Sequence, residues 1–171
     1  GETGRMKITR IEATPVRVPV TPARAISSAR GAHRVSTFVI VRVHTGSGLI
    51  GLGEVSGTAV WSGEDHVTAP HIIASYLAPA LLGEDARDIE RLTQGMARAV
   101  AGHRFTKAGV EMALWDLLGK AAGLPVYRLL GGAVRPFVPT KFSISGVAPD
   151  QAADLARWAV AQGFRAMKVK V

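Results

Sequence analysis

Lys168 and Lys170 stand one residue apart in the closing run Ala166-Met167-Lys168-Val169-Lys170-Val171. In an extended strand successive side chains point to opposite faces, so both amines share one face and Met167, Val169 and Val171 the other. Two ammonium groups side by side repel, and an anion between them relieves the repulsion. The same repulsion favours loss of a proton from one of the pair. An amine tuned in this way can act as a general base. The competing reading is a surface edge strand whose lysines discourage association.

The elements just upstream decide where such a pair would sit. Val138–Ser145 reads as a strand. Pro149–Gln162 reads as a helix, with Pro149 in its first turn, Leu155 and Trp158 on its apolar side and Gly163 as its stop. Phe164–Val171 is the next strand. This β–α–β order predicts parallel strands joined by a right-handed crossover. In such units functional groups gather at the C-terminal ends of the strands, where Lys168 and Lys170 lie.

Before this unit the pattern is different. Lys7–Val20 alternates as a strand, with Pro15 and Pro19 marking an edge or its end. Thr37–His44 and Leu49–Val55 are two further strands around the turn Thr45-Gly46-Ser47-Gly48, which predicts a small antiparallel meander. Gly46, Gly48 and Gly51 match G-x-G-x-x-G, but they open a strand rather than a helix, which excludes a dinucleotide fingerprint. Two loops leave this sheet. Thr21–Val35 is long and polar and carries Arg24, Arg30, His33 and Arg34; Ser56–Gly63 carries Thr58 and Trp61. A loop as long as the first is functional or mobile, and its cations could meet an anionic substrate. A solvated loop is the equally weighted alternative.

Helices follow. His71–Leu77 has an apolar face that Pro79 should interrupt. Ile89, Leu92, Met96 and Val100 recur at helical spacing after the acidic start Asp85–Asp88. Thr106–Ala122 buries Val110, Leu114, Leu117, Leu118 and Ala121 and should end at Gly123, with Pro125 beyond. Asp116 within that helix reads as a buried, hydrogen-bonded structural carboxylate, with a ligand role as the lesser alternative. His66 and His71 are five residues apart and do not share a helix face as a metal pair would.

Composition narrows the class. At 171 residues, 47% hydrophobic and 20% charged, the chain suits a soluble core of one or two domains. No apolar run is long enough to span a bilayer and no signal peptide is evident. Gly1–Arg5, ahead of Met6, reads as a cloning remnant. Zero cysteine excludes a disulfide framework and thiolate metal sites and fits the cytoplasm. The net charge of +8 favours anionic partners, but the basic residues are scattered and not interleaved with aromatics, which argues against nucleic acid.

The segment GVEMALWDLLGKAAGLPVYRLLGG at residues 109–132 resembles the hallmark of the mandelate racemase/muconate lactonizing enzyme group of the enolase superfamily. Gly51-Leu-Gly-Glu54, Leu77-Ala-Pro-Ala-Leu-Leu-Gly83 and Lys168-Val-Lys170 agree with that group in order and spacing, so the likeness runs from Met6 to the end of the chain. It implies an α+β capping domain at residues 6–132, a three-stranded antiparallel meander plus helices. The first β-α-β of a (β/α)8 TIM-type barrel would follow at 133–171, with the barrel incomplete in this chain.

The shared chemistry of the group is abstraction of the proton α to a carboxylate, giving an enediolate held on Mg2+. By that resemblance Lys170 is the base and Lys168 binds and polarises the carboxylate. The two loops would close over the barrel mouth, which makes Arg24, Arg30, His33, Thr58 and Trp61 candidate substrate contacts. The group's Mg2+ ligands lie on later barrel strands, so no metal ligand is expected in this chain and no Mg2+ bound by the segment alone. The resemblance therefore implies the N-terminal part of a cytoplasmic isomerase or lyase (racemase/epimerase, cycloisomerase or dehydratase). The whole enzyme would act on a small carboxylate substrate as a homo-oligomer, without nucleic acid or membrane partners, and the segment alone would be inactive. The alternative is a non-enzymatic α+β interaction or assembly module.

Overall fold

The structure, a computed structural model, describes residues 6–22, 25–28 and 31–170. Arg24, Arg30, Val171 and residues 1–5 lie outside the described residues. The strands are β1 (Ile8–Pro19), β2 (Ile26–Ser28), β3 (Gly31–His33), β4 (Val35–Thr45), β5 (Ile50–Val55), β6 (Phe142–Ile144) and β7 (Met167–Val169). The helices are α1 (Ala59–Ser62), α2 (Thr68–Ile72), α3 (Ala78–Leu81), α4 (Ile89–Ala99), α5 (Arg104–Ala122), α6 (Val126–Leu129) and α7 (Pro149–Ala161). The chain forms two compact units. One joins Thr37–Ala133 to the N-terminal residues through Arg17, and the other joins Val18–Ser36 to Val134–Val171. Among the described residues no helix is long and apolar enough to cross a membrane.

In the first unit an antiparallel sheet has the order β1-β4-β5, the meander that the alternation predicts. Val39, Val41 and Val43 of β4 turn to one face and are fully buried. They meet Ile73, Leu77, Leu81, Leu92, Met96, Val110, Leu114 and Leu117 from the helical layer. The hairpin between β4 and β5 closes as expected, with Gly48 at φ +85° and its N–H donating to the Thr45 carbonyl at 3.0 Å.

The small residues of β5 have a packing cause. A Cβ on Gly53 would lie 1.9 Å from the Gly109 carbonyl oxygen, and one on Gly51 would lie 2.0 Å from that of Ala113. Glycine therefore lets the α5 backbone rest directly on β5. Gly53→Ala forces the two backbones apart, and we expect a loss of about 1–3 kcal/mol or more, the range for overpacking a tight core. Chemical denaturation reads it; a loss below about 0.5 kcal/mol would contradict this account of the contact.

Helix α5 ends where the sequence places its stop. Gly123 takes φ +66°, and the Leu124 N–H donates to the Gly119 carbonyl at 2.9 Å. Its start is set by a residue that the sequence does not advertise. The Glu64 carboxylate, 5% exposed, accepts the N–H groups of Phe105 (3.0 Å) and Thr106 (2.8 Å) and the Thr106 hydroxyl (2.6 Å). It thereby supplies partners for amides that a helix N-terminus leaves open. Burial pushes the Glu64 carboxyl up, but these three hydrogen bonds together outweigh it and hold the group below the ordinary glutamate value.

Three expectations are corrected. Pro79 does not break its helix: Thr68–Leu81 runs on through a π-helical turn at Ile73–Leu77, with the Ala78 N–H bonded to the Ile73 carbonyl five residues back. A wider turn spaces out the carbonyls that a proline ring would otherwise strike. Thr21–Val35 is not a plain loop: β2 and β3 pair antiparallel, Ile26 with His33, Ser27 with Ala32 and Ser28 with Gly31. Ser56–Gly63 likewise holds the single turn α1.

Candidate active site

The lysine pair lies in the second unit. β6 and β7 are parallel, as predicted, and shorter than their sequence patterns suggest, with Phe142 opposite Met167, Ser143 opposite Lys168 and Ile144 opposite Val169. Backbone bonds extend the pairing by one residue at each end. Phe142 N–H donates to the Ala166 carbonyl at 3.0 Å, and Lys170 N–H donates to the Ile144 carbonyl at 3.1 Å.

The apolar side of this small sheet is held by α7. The Phe142 ring lies 5.3 Å from Trp158 and 5.6 Å from Phe164, and Ile144 and Ala159 are buried beside them. With Phe142 and Ile144 committed to α7, alternation turns Ser143 to the opposite face, where Lys168 stands next to it in register. Lys170 and Ser145 continue that face two residues on. Lys168 is exposed, Lys170 half-buried and Ser145 buried. Lys141 Nζ donates to the Ser143 hydroxyl. The face is therefore made of amines and hydroxyls, with no carboxylate on either strand to ligate a hard cation.

Ser143 and Ser145 were missed by sequence reasoning. The signal was present in Lys141-Phe-Ser-Ile-Ser145, whose polar residues alternate to one face just as Lys168 and Lys170 do.

Beyond the C-terminal end of β6 the same unit encloses a cavity of about 580 Å³. Its polar lining is Arg34 and Ser145, and Val20, Pro22, Val147 and Leu155 supply apolar wall. The Val20 N–H to Arg34 carbonyl bond, 2.9 Å, fixes the base of the β2–β3 hairpin that contributes one side. His33 is not among the lining residues; its Nε2 pairs with the Ser36 hydroxyl at 2.8 Å.

Thr58 and Trp61 belong to the first unit. The Thr58 carbonyl starts α1 by accepting the N–H groups of Trp61 and Ser62, each at 2.8 Å, and Trp61 is 82% exposed. Asp116 is half-buried rather than buried, and its partners are structural: the Leu52 N–H and Lys120 Nζ, each at 2.7 Å. Among the described residues no group of three or more histidine, aspartate or glutamate side chains converges to hold a metal.

Comparison with known proteins agrees with this architecture. The family model for the mandelate racemase / muconate lactonizing enzyme N-terminal domain matches residues 10–131. A chloromuconate cycloisomerase of Cupriavidus pinatubonensis is 43% identical over 142 residues, covering 82% of this chain and 38% of the relative. The L-Ala-D/L-Glu epimerase of Bacillus subtilis is 35% identical over 166 residues, covering 97% and 44%. The crystal structure of a dipeptide epimerase from Cytophaga hutchinsonii, complexed with Mg and the dipeptide D-Ala-L-Val, superposes with a TM-score of 0.89 at 34% identity. That alignment covers 97% of this chain and 44% of the other. The chain thus spans less than half the length of these relatives, and over the part it spans it belongs to the mandelate racemase/muconate lactonizing enzyme group of the enolase superfamily.

Proposed function

We propose that this chain is the N-terminal portion of an enzyme that abstracts the proton α to a carboxylate, with Lys170 as the base and Lys168 as the group that binds the carboxylate. The observation that carries the proposal is the face on which Ser143, Lys168 and Lys170 stand together at the mouth of a parallel β–α–β unit. Deprotonation spreads negative charge into the carboxylate, and a neighbouring ammonium stabilises that charge as it develops. β6, α7 and β7 then open the (β/α)8 barrel, and residues 6–132 form its capping domain.

The cavity beside Ser145 supports a substrate that carries a further polar or anionic group on a short apolar body, since Arg34 is its one charged wall among the described lining. Arg24, Arg30, His33, Thr58 and Trp61 are proposed to contribute from the two loops. The relatives' names span a cycloisomerase and an epimerase, which supports a shared first step with divergent outcomes. Mg2+ is proposed for the whole protein. The side chains of β6 and β7 do not fit that ion: it favours convergent oxygen ligands, usually carboxylates, and these strands carry none. No step on this chain is assigned to it.

The test is exchange of the substrate α-proton with deuterated solvent by the full-length protein, over N-acyl amino acids, dipeptides and muconolactone. Exchange with no member of any of these classes would sink the proposal. Lys168→Ala should raise KM about 10- to 100-fold, matching the ~1.5–3 kcal/mol of a hydrogen bond to a charged group. An unchanged KM would remove Lys168 from the carboxylate.

A further inference from the structure

We propose that Asp116 and Lys120 lock the outer edge of β5 against strand addition by a second copy of this chain. Among the described residues β5 is the last strand of its sheet. An edge strand presents unpaired N–H and C=O groups to any other strand that can reach them. This edge is also apolar, with Ile50 38% and Leu52 50% exposed. Beside it lies a cavity of about 420 Å³ walled by Leu52, Met112, Trp115, Val126 and Leu130, room for the side chains of an added strand.

Two of the backbone groups that such a strand would need are already taken. Leu52 N–H donates to Asp116 Oδ2 at 2.7 Å, and the Ile50 carbonyl accepts from Lys120 Nζ at 2.7 Å. Asp116 and Lys120 also pair with each other at 2.7 Å. Side chains four residues apart on a helix are separated by about 6 Å of rise, close to the ~6.8 Å between strand residues two apart. One carboxylate and one ammonium therefore present an acceptor and a donor at strand spacing.

An exposed i,i+4 ion pair alone is worth only about 0.3–0.5 kcal/mol, which gives no reason for both partners to reach two backbone groups of the neighbouring strand. The close approach at Gly51 and Gly53 brings α5 within reach, so the glycines and the ion pair are parts of one arrangement.

The experiment is an Asp116→Ala/Lys120→Ala double variant of the full-length protein, compared with its parent by light scattering and by amide exchange at Leu52. Exchange at Leu52 should rise about 10- to 100-fold with the loss of a charge-assisted bond, and the variant should associate at concentrations where the parent does not. Adding Leu52→Lys should return the parent's assembly state by placing a charge on the edge. Lys120→Met keeps the stem packing and opens only the Ile50 carbonyl, so it is read by itself if the double variant does not fold; it too should associate more than the parent. Parent-like assembly in these variants, or association that Leu52→Lys does not reverse, would overturn the proposal.

Discussion

Lys170→Ala in the complete protein is expected to lower exchange of the substrate α-proton with solvent by about 10²–10⁴-fold, the usual contribution of a positioned general base. At about 1.4 kcal/mol per tenfold this is roughly 2.7–5.5 kcal/mol of barrier. The size of the effect follows from where the amine is held. The Lys170 backbone is fixed by its 3.1 Å bond to the Ile144 carbonyl, and its side chain is half-buried on a face opposite the aromatic packing of α7. Alanine keeps that backbone and removes the amine with its methylene stem, neither of which is a metal ligand, so Mg2+ binding by the whole protein should persist. Lys170→Arg separates charge from basicity, because a guanidinium retains the positive charge but does not give up its proton. Exchange in the Arg variant should fall as it does in the Ala variant. Near-parental exchange in either one would remove Lys170 from the role of base.

The parts of this arrangement that were legible in the sequence are those with a short-range cause. Val39, Val41 and Val43 announce a half-buried strand by alternation alone. Gly123 and Pro125 announce a helix end because one tolerates a left-handed backbone and the other cannot continue the helix. Lys168 and Lys170 share a face in any extended conformation. The features that were missed are set by distant contacts or by segments without an apolar period. β2 and β3 are three residues each and, apart from Ile26, are built from small and polar side chains, so no alternation marks them. Pro79 reads as a break unless the π turn ahead of it is known. Asp116 reads as buried because it sits among apolar residues, yet its partners come from β5, more than sixty residues away in the chain. The hallmark stretch at 109–132 was recognisable as a pattern, whereas its cause became visible only in the packing: Gly109 and Ala113 touch β5, and Asp116 and Lys120 bind the strand's backbone.

Glu64→Ala is expected to cost roughly 2–4 kcal/mol of stability, because it strands two buried donors on Thr106, each worth about 1–3 kcal/mol when left without a partner, and a part-buried one on Phe105 that water can reach. Those donors are the N–H groups of Phe105 and Thr106 and the Thr106 hydroxyl, forty residues along the chain. Thr106 is fully buried and Glu64 nearly so, which leaves little access for water to replace the carboxylate. Glu64→Gln keeps one acceptor oxygen but sets an amide NH2 against helix donors, so a smaller loss of about 1–2 kcal/mol is expected. The pH dependence separates charge from shape. The folded carboxyl lies below the ordinary glutamate value because its hydrogen bonds outweigh the opposing effect of burial. A group depressed in this way stabilises the fold fully above its unfolded value, about 4.3, and the contribution is lost as pH falls through the lower folded value. The stability gap between parent and Glu64→Gln should therefore be full at neutral pH, begin to close below about pH 4.3, and shrink further on acidification. Urea denaturation of both chains at matched pH values measures it. A gap that widens on acidification, or an Ala variant that loses under about 1 kcal/mol, would show that α5 does not depend on this carboxylate for its first turn.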